Sequence, residues 1–194
     1  MSDFWFYFKI GLQHVLDWQA YDHVLFLLVL VVGYMLKDWK KVILLVTVFT
    51  IGHMFSMTLS VYNIVKVSGK VTEFLIPLTI IFTGVYNIIT ASAQSSNNSR
   101  GILFLTTACF GLIHGLGFSS YFKMISSDLS TKGIPLLSFG IGIEAAQCIV
   151  VLLVLLITGI IQTLFRFSRR DWVLVLSAIV VGITIPLLIA NKFW

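Results

Sequence analysis

Four histidines, His14, His23, His53 and His114, lie in or beside long apolar runs, and so do three carboxylates, Asp22, Glu73 and Glu144. One histidine in such a run is ordinarily a packing residue whose ring bonds a carbonyl or hydroxyl. Four of them with carboxylates, in a chain of 194 residues, point to chemistry, because an ionisable group in an apolar medium needs a partner. Imidazole and carboxylate donors together suit divalent nickel, cobalt, zinc, copper or iron. The candidate metal ligands are therefore His14, Asp22, His23, His53, His114 and Glu144. Asp22 can instead orient His23 beside it. A ligating histidine leaves its second ring nitrogen for an outer acceptor. Gln147, three residues after Glu144, and Ser56, three after His53, share helical faces with those ligands and are assigned that outer role. Glu73 and Asn87 are candidates for an access path. The plainer role for Glu73 is snorkelling to an interface. For the Thr79, Thr83 and Asn87 stripe it is bonding between helices.

These side chains need elements to hold them. The chain is 58% hydrophobic and 11% charged, against about 45–50% and about 25% in soluble domains. Too few polar side chains remain to cover a globule in water. That excludes an ordinary soluble enzyme and a nucleic-acid binder, and leaves an integral membrane protein in a lipid bilayer. Apolar runs occupy roughly 21–36, 42–62, 72–92, 101–122, 134–162 and 172–191. They are too long for strands and lack period-2 alternation, so helices rather than a barrel are expected. A bilayer core about 30 Å thick needs about 20 helical residues. The expected fold is an all-α membrane bundle of six transmembrane helices, forming one domain over 1–194.

The run 21–36 is short for that thickness. Residues 4–16 place Phe4, Phe8, Leu12 and Val15 at helical spacing, with Lys9 and Gln13 on another face. They predict an N-terminal interfacial or re-entrant helix, with a short seventh span as the alternative. No signal-peptide pattern is visible at the N-terminus. Cys109 and Cys148 sit inside apolar runs, so no structural disulfide is expected. The aromatic residues are expected to serve as bilayer-facing and interfacial anchors.

Alternating the loops gives one side Lys37, Lys40, Lys41, Arg100, Arg166, Arg169 and Arg170, and the other Lys66, Lys70, Lys123, Lys132 and Lys192. This bias predicts that loops 37–41 and 163–171 are cytoplasmic. Depth follows from a rise of about 1.5 Å per residue. His53 and His114 then lie roughly 16 and 20 Å from the cytoplasmic side, and Glu144 about 15 Å from the outer side. With His23 near the outer end of its run, these four fall between midplane and outer face, where one site can form. Gly111 and Gly115 predict close helix approach near His114.

The segments GLQHVLDWQAYDHVLF (11–26), TVFTIGH (47–53), VTEFLIPLTI (71–80), FGLIHGLGF (110–118) and SFGIGIEAAQ (138–147), in this order, resemble the HupE/UreJ family of hydrogenase- and urease-accessory membrane proteins. The resemblance implies a bacterial inner-membrane protein of about six helices that is a nickel or cobalt permease or delivers metal to metalloenzymes. Its motif histidines map onto His14, His23, His53 and His114, its acidic residues onto Asp22, Glu73 and Glu144, and its late glutamine onto Gln147.

Three functions compete. A secondary metal permease, with nickel or cobalt as cargo, needs a reversible site near the midplane, and a homo-oligomer would ease the shortage of helices for gating. A membrane-embedded metallohydrolase, with zinc held by histidines and Glu144 or Asp22 as base, would act near the outer leaflet. A structural or accessory subunit would use the same residues only to bond helices. Both metal readings predict that His53→Ala or His114→Ala abolishes metal retention in a protein that stays helical by circular dichroism. Retained metal in both variants contradicts the assignment.

Overall fold

The computed structural model describes residues 3–17, 21–92, 98–129, 131–164 and 166–193. Among these, every regular element is helical. In chain order they are α1 (Asp3–Leu16), α2 (Asp22–Val31), a 3-10 turn at Leu36–Asp38, α3 (Trp39–Val61), α4 (Gly69–Thr90), α5 (Asn98–Ile125), α6 (Gly133–Leu164) and α7 (Arg169–Ala190). Five helices, α3 to α7, are long and apolar enough to cross a membrane. They match five of the six apolar runs to within a few residues.

The run at 21–36 behaves differently. Only Asp22–Val31 is helical, about 15 Å long. Gly33, a poor helix former, and the 3-10 turn then reverse the chain into α3. The polar stretch 93–100 also divides. Residues 93–97 lie outside the described residues, and 98–100 already belong to α5.

Large apolar side chains point outward along the bundle, among them Ile51, Phe55, Ile89, Leu153, Ile160 and Ile189. A water-soluble protein rarely exposes so continuous an apolar surface, and lipid is the medium that suits it. This is a membrane protein.

Neighbour contacts fix the directions of the helices. Thr79 meets His114 and Phe82 meets Phe110, so α4 and α5 are antiparallel. Thr47 meets Glu144 and Gly140 meets Met54, so α3 and α6 are antiparallel. Ser60 donates to Ser119 while Gly111 approaches Phe49, so α3 and α5 run parallel. The ends of α3, α5 and α7 thus share one end of the bundle with the starts of α4 and α6. Lys37, Lys40, Lys41, Arg166, Arg169 and Arg170 all belong to the opposite end, as the alternating loop assignment requires.

Helix α1 enters from the first of these ends. Tyr7 donates to the carbonyl of Ile125, the last residue of α5, at 3.0 Å, while His14 lies one to two turns deeper, against Phe118. Its buried face is Tyr7, Gly11 and Val15, offset from the expected Phe4, Phe8, Leu12 and Val15 face. The helix is aromatic nearly all round, so hydrophobicity does not choose a face. Gly11 does: a Cβ there would overlap the Phe139 carbonyl, and one at Gly142 would overlap the Phe8 carbonyl.

The seam between α3 and α5 follows the same rule. A Cβ at Gly115 would overlap the His53 carbonyl, and one at Gly111 the Phe49 carbonyl. Backbone-to-backbone approach of this kind is how helices associate where no water drives them together. Gly115→Ala is expected to destabilise the protein by about 1–3 kcal/mol through overpacking. Gly159→Ala, where a new Cβ meets nothing within 4 Å, should be neutral or slightly stabilising. Thermal unfolding in detergent measures both, and equal melting temperatures would contradict the packing argument.

Candidate metal centre

The helix directions bring all four histidines together. His14 ends α1, His23 begins α2, and His53 and His114, on the two helices of the glycine seam, each approach His23. Ring centroids lie 4.5 Å apart for His14 and His23, 5.3 Å for His23 and His114, 5.9 Å for His14 and His53, and 6.0 Å for His23 and His53. His53 is fully buried, and His114 and His23 are nearly so.

Several of their nitrogens lack partners. His14 Nε2, His23 Nε2, both ring nitrogens of His53 and His114 Nδ1 are buried without a hydrogen bond. The polar contacts that do form are few. Asp22 Oδ1 lies 3.1 Å from His23 Nδ1 and also accepts from the His23 backbone N–H at 2.9 Å. His114 Nε2 lies 3.4 Å from the Thr79 hydroxyl. With Nδ1 against Asp22, Nε2 is the His23 ring nitrogen left without a partner, the arrangement that prepares an imidazole for a metal.

Two sets of donors converge. One ligand atom from each of His14, His23 and His53 lies within 4.8 Å of the others, and the same holds for Asp22, His23 and His114. Two nitrogens on opposite sides of an ion, at about 2.1 Å each, are about 4.2 Å apart. Both triads are thus near ligating dimensions, and His23 belongs to both.

The helix ends add electrostatics. The C-terminal end of α1, with its partial negative charge, lies at the cluster and favours a cation. The N-terminal end of α2 carries the opposite sign, and Asp22 in its first turn balances it. Phe26, Phe49, Phe118 and Phe139 wall the imidazoles, with Phe118 only 3.9 Å from His14 between centroids. Sequence reading placed the aromatics as anchors, which fits exposed Phe4, Trp5, Phe6 and Trp39 but misses these four.

Two cavities reach the cluster from the end where α3 and α5 finish. One of about 790 Å³ is lined by His14, Gln13, Asp17, Phe118 and Tyr121. The other, about 300 Å³, is lined by Tyr21, Asp22, Glu73, Pro77, Leu187 and Asn191. Glu73 is exposed at this second mouth. Pro77 has no N–H, so the Glu73 carbonyl loses its helical donor beside the same opening.

The remaining candidates lie elsewhere. Glu144 is not in either converging set. It accepts from the hydroxyl of Thr47 at 2.6 Å and from that of Thr50. Gln147 accepts from Thr50 at 3.0 Å. Depth counting expects Glu144 beside the histidines, but helical phase turns it to the α3–α6 seam. Ser56 bonds back to the His53 carbonyl of its own helix at 3.2 Å. Asn87 donates to the Val29 carbonyl at 2.6 Å, satisfying one of the last carbonyls of α2. Thr47 and Thr50 were the missed partners; their i, i+3 spacing inside an apolar run was the available signal.

A family model for HupE / UreJ proteins matches residues 1–191. The chain belongs to the HupE/UreJ family. The match covers nearly the whole sequence and includes all five motifs that carried the resemblance. No curated protein and no solved structure matches the chain. In this HupE/UreJ protein the first motif supplies His14, Asp22 and His23, on two helices rather than one. The break between α1 and α2 is therefore what lets a single stretch of sequence present three donors at one depth.

The shared position of His23 gives a graded prediction. His23→Ala removes a donor from both triads and should weaken divalent-metal binding more than His14→Ala or His114→Ala, each of which spares one triad. Asp22→Asn should weaken it about 10–100-fold by releasing the ring. Titration calorimetry with cobalt(II) checks the order, and equal losses at His14, His23 and His114 would contradict it.

Proposed function

We propose that this protein is a divalent transition-metal permease of the nickel/cobalt class in a bacterial inner membrane, with the cation as its cargo. The observation that carries this reading is the set of buried imidazole nitrogens without partners around His23. Unfilled lone pairs in a dry interior are unfavourable, and a borderline divalent ion is the ligand that satisfies imidazole donors. Family membership supports the same cargo.

Two further features support transport over storage. The triads share His23, so the two candidate ion positions adjoin one another across a single ring. The site also lies where two half-length helices meet, the arrangement by which transporters place ion sites inside a membrane. All four arginines and three lysines lie at the opposite end by chain order, against six lysines at this one, so the open cavities would face outward and loops 37–41 and 163–171 inward. Loading from outside through the Glu73 and Asp22 mouth follows.

One observation favours a second reading, a membrane-embedded metallohydrolase. The cavity beside His14, about 790 Å³, is larger than an ion needs and falls in the range of small-molecule sites. In that reading zinc stays bound and Asp22 acts as base.

Purified protein in proteoliposomes decides between them. The permease reading predicts saturable nickel(II) or cobalt(II) uptake that His53→Ala abolishes, with metal readily exchanged. Zinc retained through chelator dialysis, with no uptake of any divalent ion, overturns it in favour of the hydrolase.

A further inference from the structure

A second polar site lies on the seam between α3 and α6, built wholly from oxygen. Glu144 Oε1 accepts from Thr47 Oγ1 at 2.6 Å, and Glu144 Oε2 accepts from Thr50 Oγ1. Gln147 Oε1 lies 3.0 Å from the same Thr50 hydroxyl. Gln147 is fully buried, and its Nε2 has no partner. The amide thus turns its oxygen to the Thr50 hydroxyl and leaves its donor without a partner.

Counting protons shows what is missing. The Thr47 hydroxyl has one proton and two acceptors in reach, the Ile43 carbonyl and Glu144. The Thr50 hydroxyl has one proton and three acceptors, the Val46 carbonyl, Glu144 and Gln147 Oε1. The Ile43 and Val46 carbonyls already take helical N–H donors within α3, so three side-chain acceptors, both Glu144 oxygens and Gln147 Oε1, share two hydroxyl protons. Among the described residues, no lysine, arginine or histidine pairs with Glu144. A carboxylate in an apolar seam with an excess of acceptors and no counter-charge is an unbalanced arrangement.

We propose that Glu144, Thr47, Thr50 and Gln147 form a binding site for a monovalent hard cation of the sodium type. Carboxylate, hydroxyl and amide oxygens select hard ions over the transition metals that imidazole prefers. A single carboxylate is neutralised by a single positive charge, so a monovalent ion leaves the seam uncharged where a divalent ion would not. The ion would make up the deficit of positive charge among the acceptors. A groove of about 520 Å³ runs along the outside of this seam from Tyr62 and Gly133 to Glu144, so the carboxylate is reachable from the bundle surface. None of the four residues belongs to the imidazole triads, so the site does not depend on the transition-metal reading.

Binding of radioactive sodium to the purified, detergent-solubilised protein, in chelator and without any transition metal, tests the proposal. The expected result is saturable binding of one ion per chain, with a sodium-dependent rise in melting temperature that choline does not produce. Glu144→Gln, Thr47→Val and Thr50→Val should each weaken binding at least about tenfold. The two valine variants keep the side-chain shape and guard against a folding defect in the first. Absence of saturable sodium binding in the unmodified protein overturns the proposal. Binding unchanged in Glu144→Gln and Thr50→Val overturns it equally.

Discussion

A nitrogen lone pair buried in a membrane interior has no water to turn to. Most other described polar groups in the core, with Gln147 Nε2, Gln162 Nε2 and Ser177 Oγ as exceptions, find a local answer: threonine and serine hydroxyls donate to carbonyls three or four residues back, and Asn87 closes the end of α2. The imidazoles of His14, His23, His53 and His114 each keep at least one ring nitrogen without such an answer. Their rings are too large to fold back on their own helices, and the phenylalanines around them offer no donors. The architecture holds four such rings together in spite of this, and that makes sense when the partner is a cation from outside the chain.

Two devices produce the convergence. The glycine seam lets α3 and α5 approach until Gly115 sits on the His53 carbonyl, which places His53 and His114 on one plane. The break between α1 and α2 then delivers His14 and His23 to that plane from opposite directions along the chain. Gly11 and Gly142 seat α1 deeply enough for His14 to arrive. A continuous helix through 3–31 would spread His14 and His23 over about 13 Å, and no common site would form.

Much of this was legible in the sequence. Composition alone gave a helical membrane protein, and the apolar runs located five long helices closely. Depth counting placed His53 and His114 together, and the Gly111 and Gly115 spacing marked the close approach that joins them. What depth cannot supply is helical phase. Glu144 lies at a suitable depth but faces Thr47 and Thr50, because rotation about a uniformly apolar helix leaves no pattern in the sequence. The same ambiguity shifted the buried face of α1 to Tyr7, Gly11 and Val15. The shortness of α2 was also hidden, since residues 32–36 remain apolar after the helix has ended.

X-ray absorption at the cobalt edge of the purified, cobalt(II)-loaded protein tests the central claim most directly, because it reports the ligands themselves. The structure predicts a first shell of nitrogen and oxygen with outer scattering from three imidazoles, reduced in His23→Ala. A spectrum of a hydrated ion or of oxygen ligands alone, without imidazole scattering, would show that the histidine cluster is not where the metal binds.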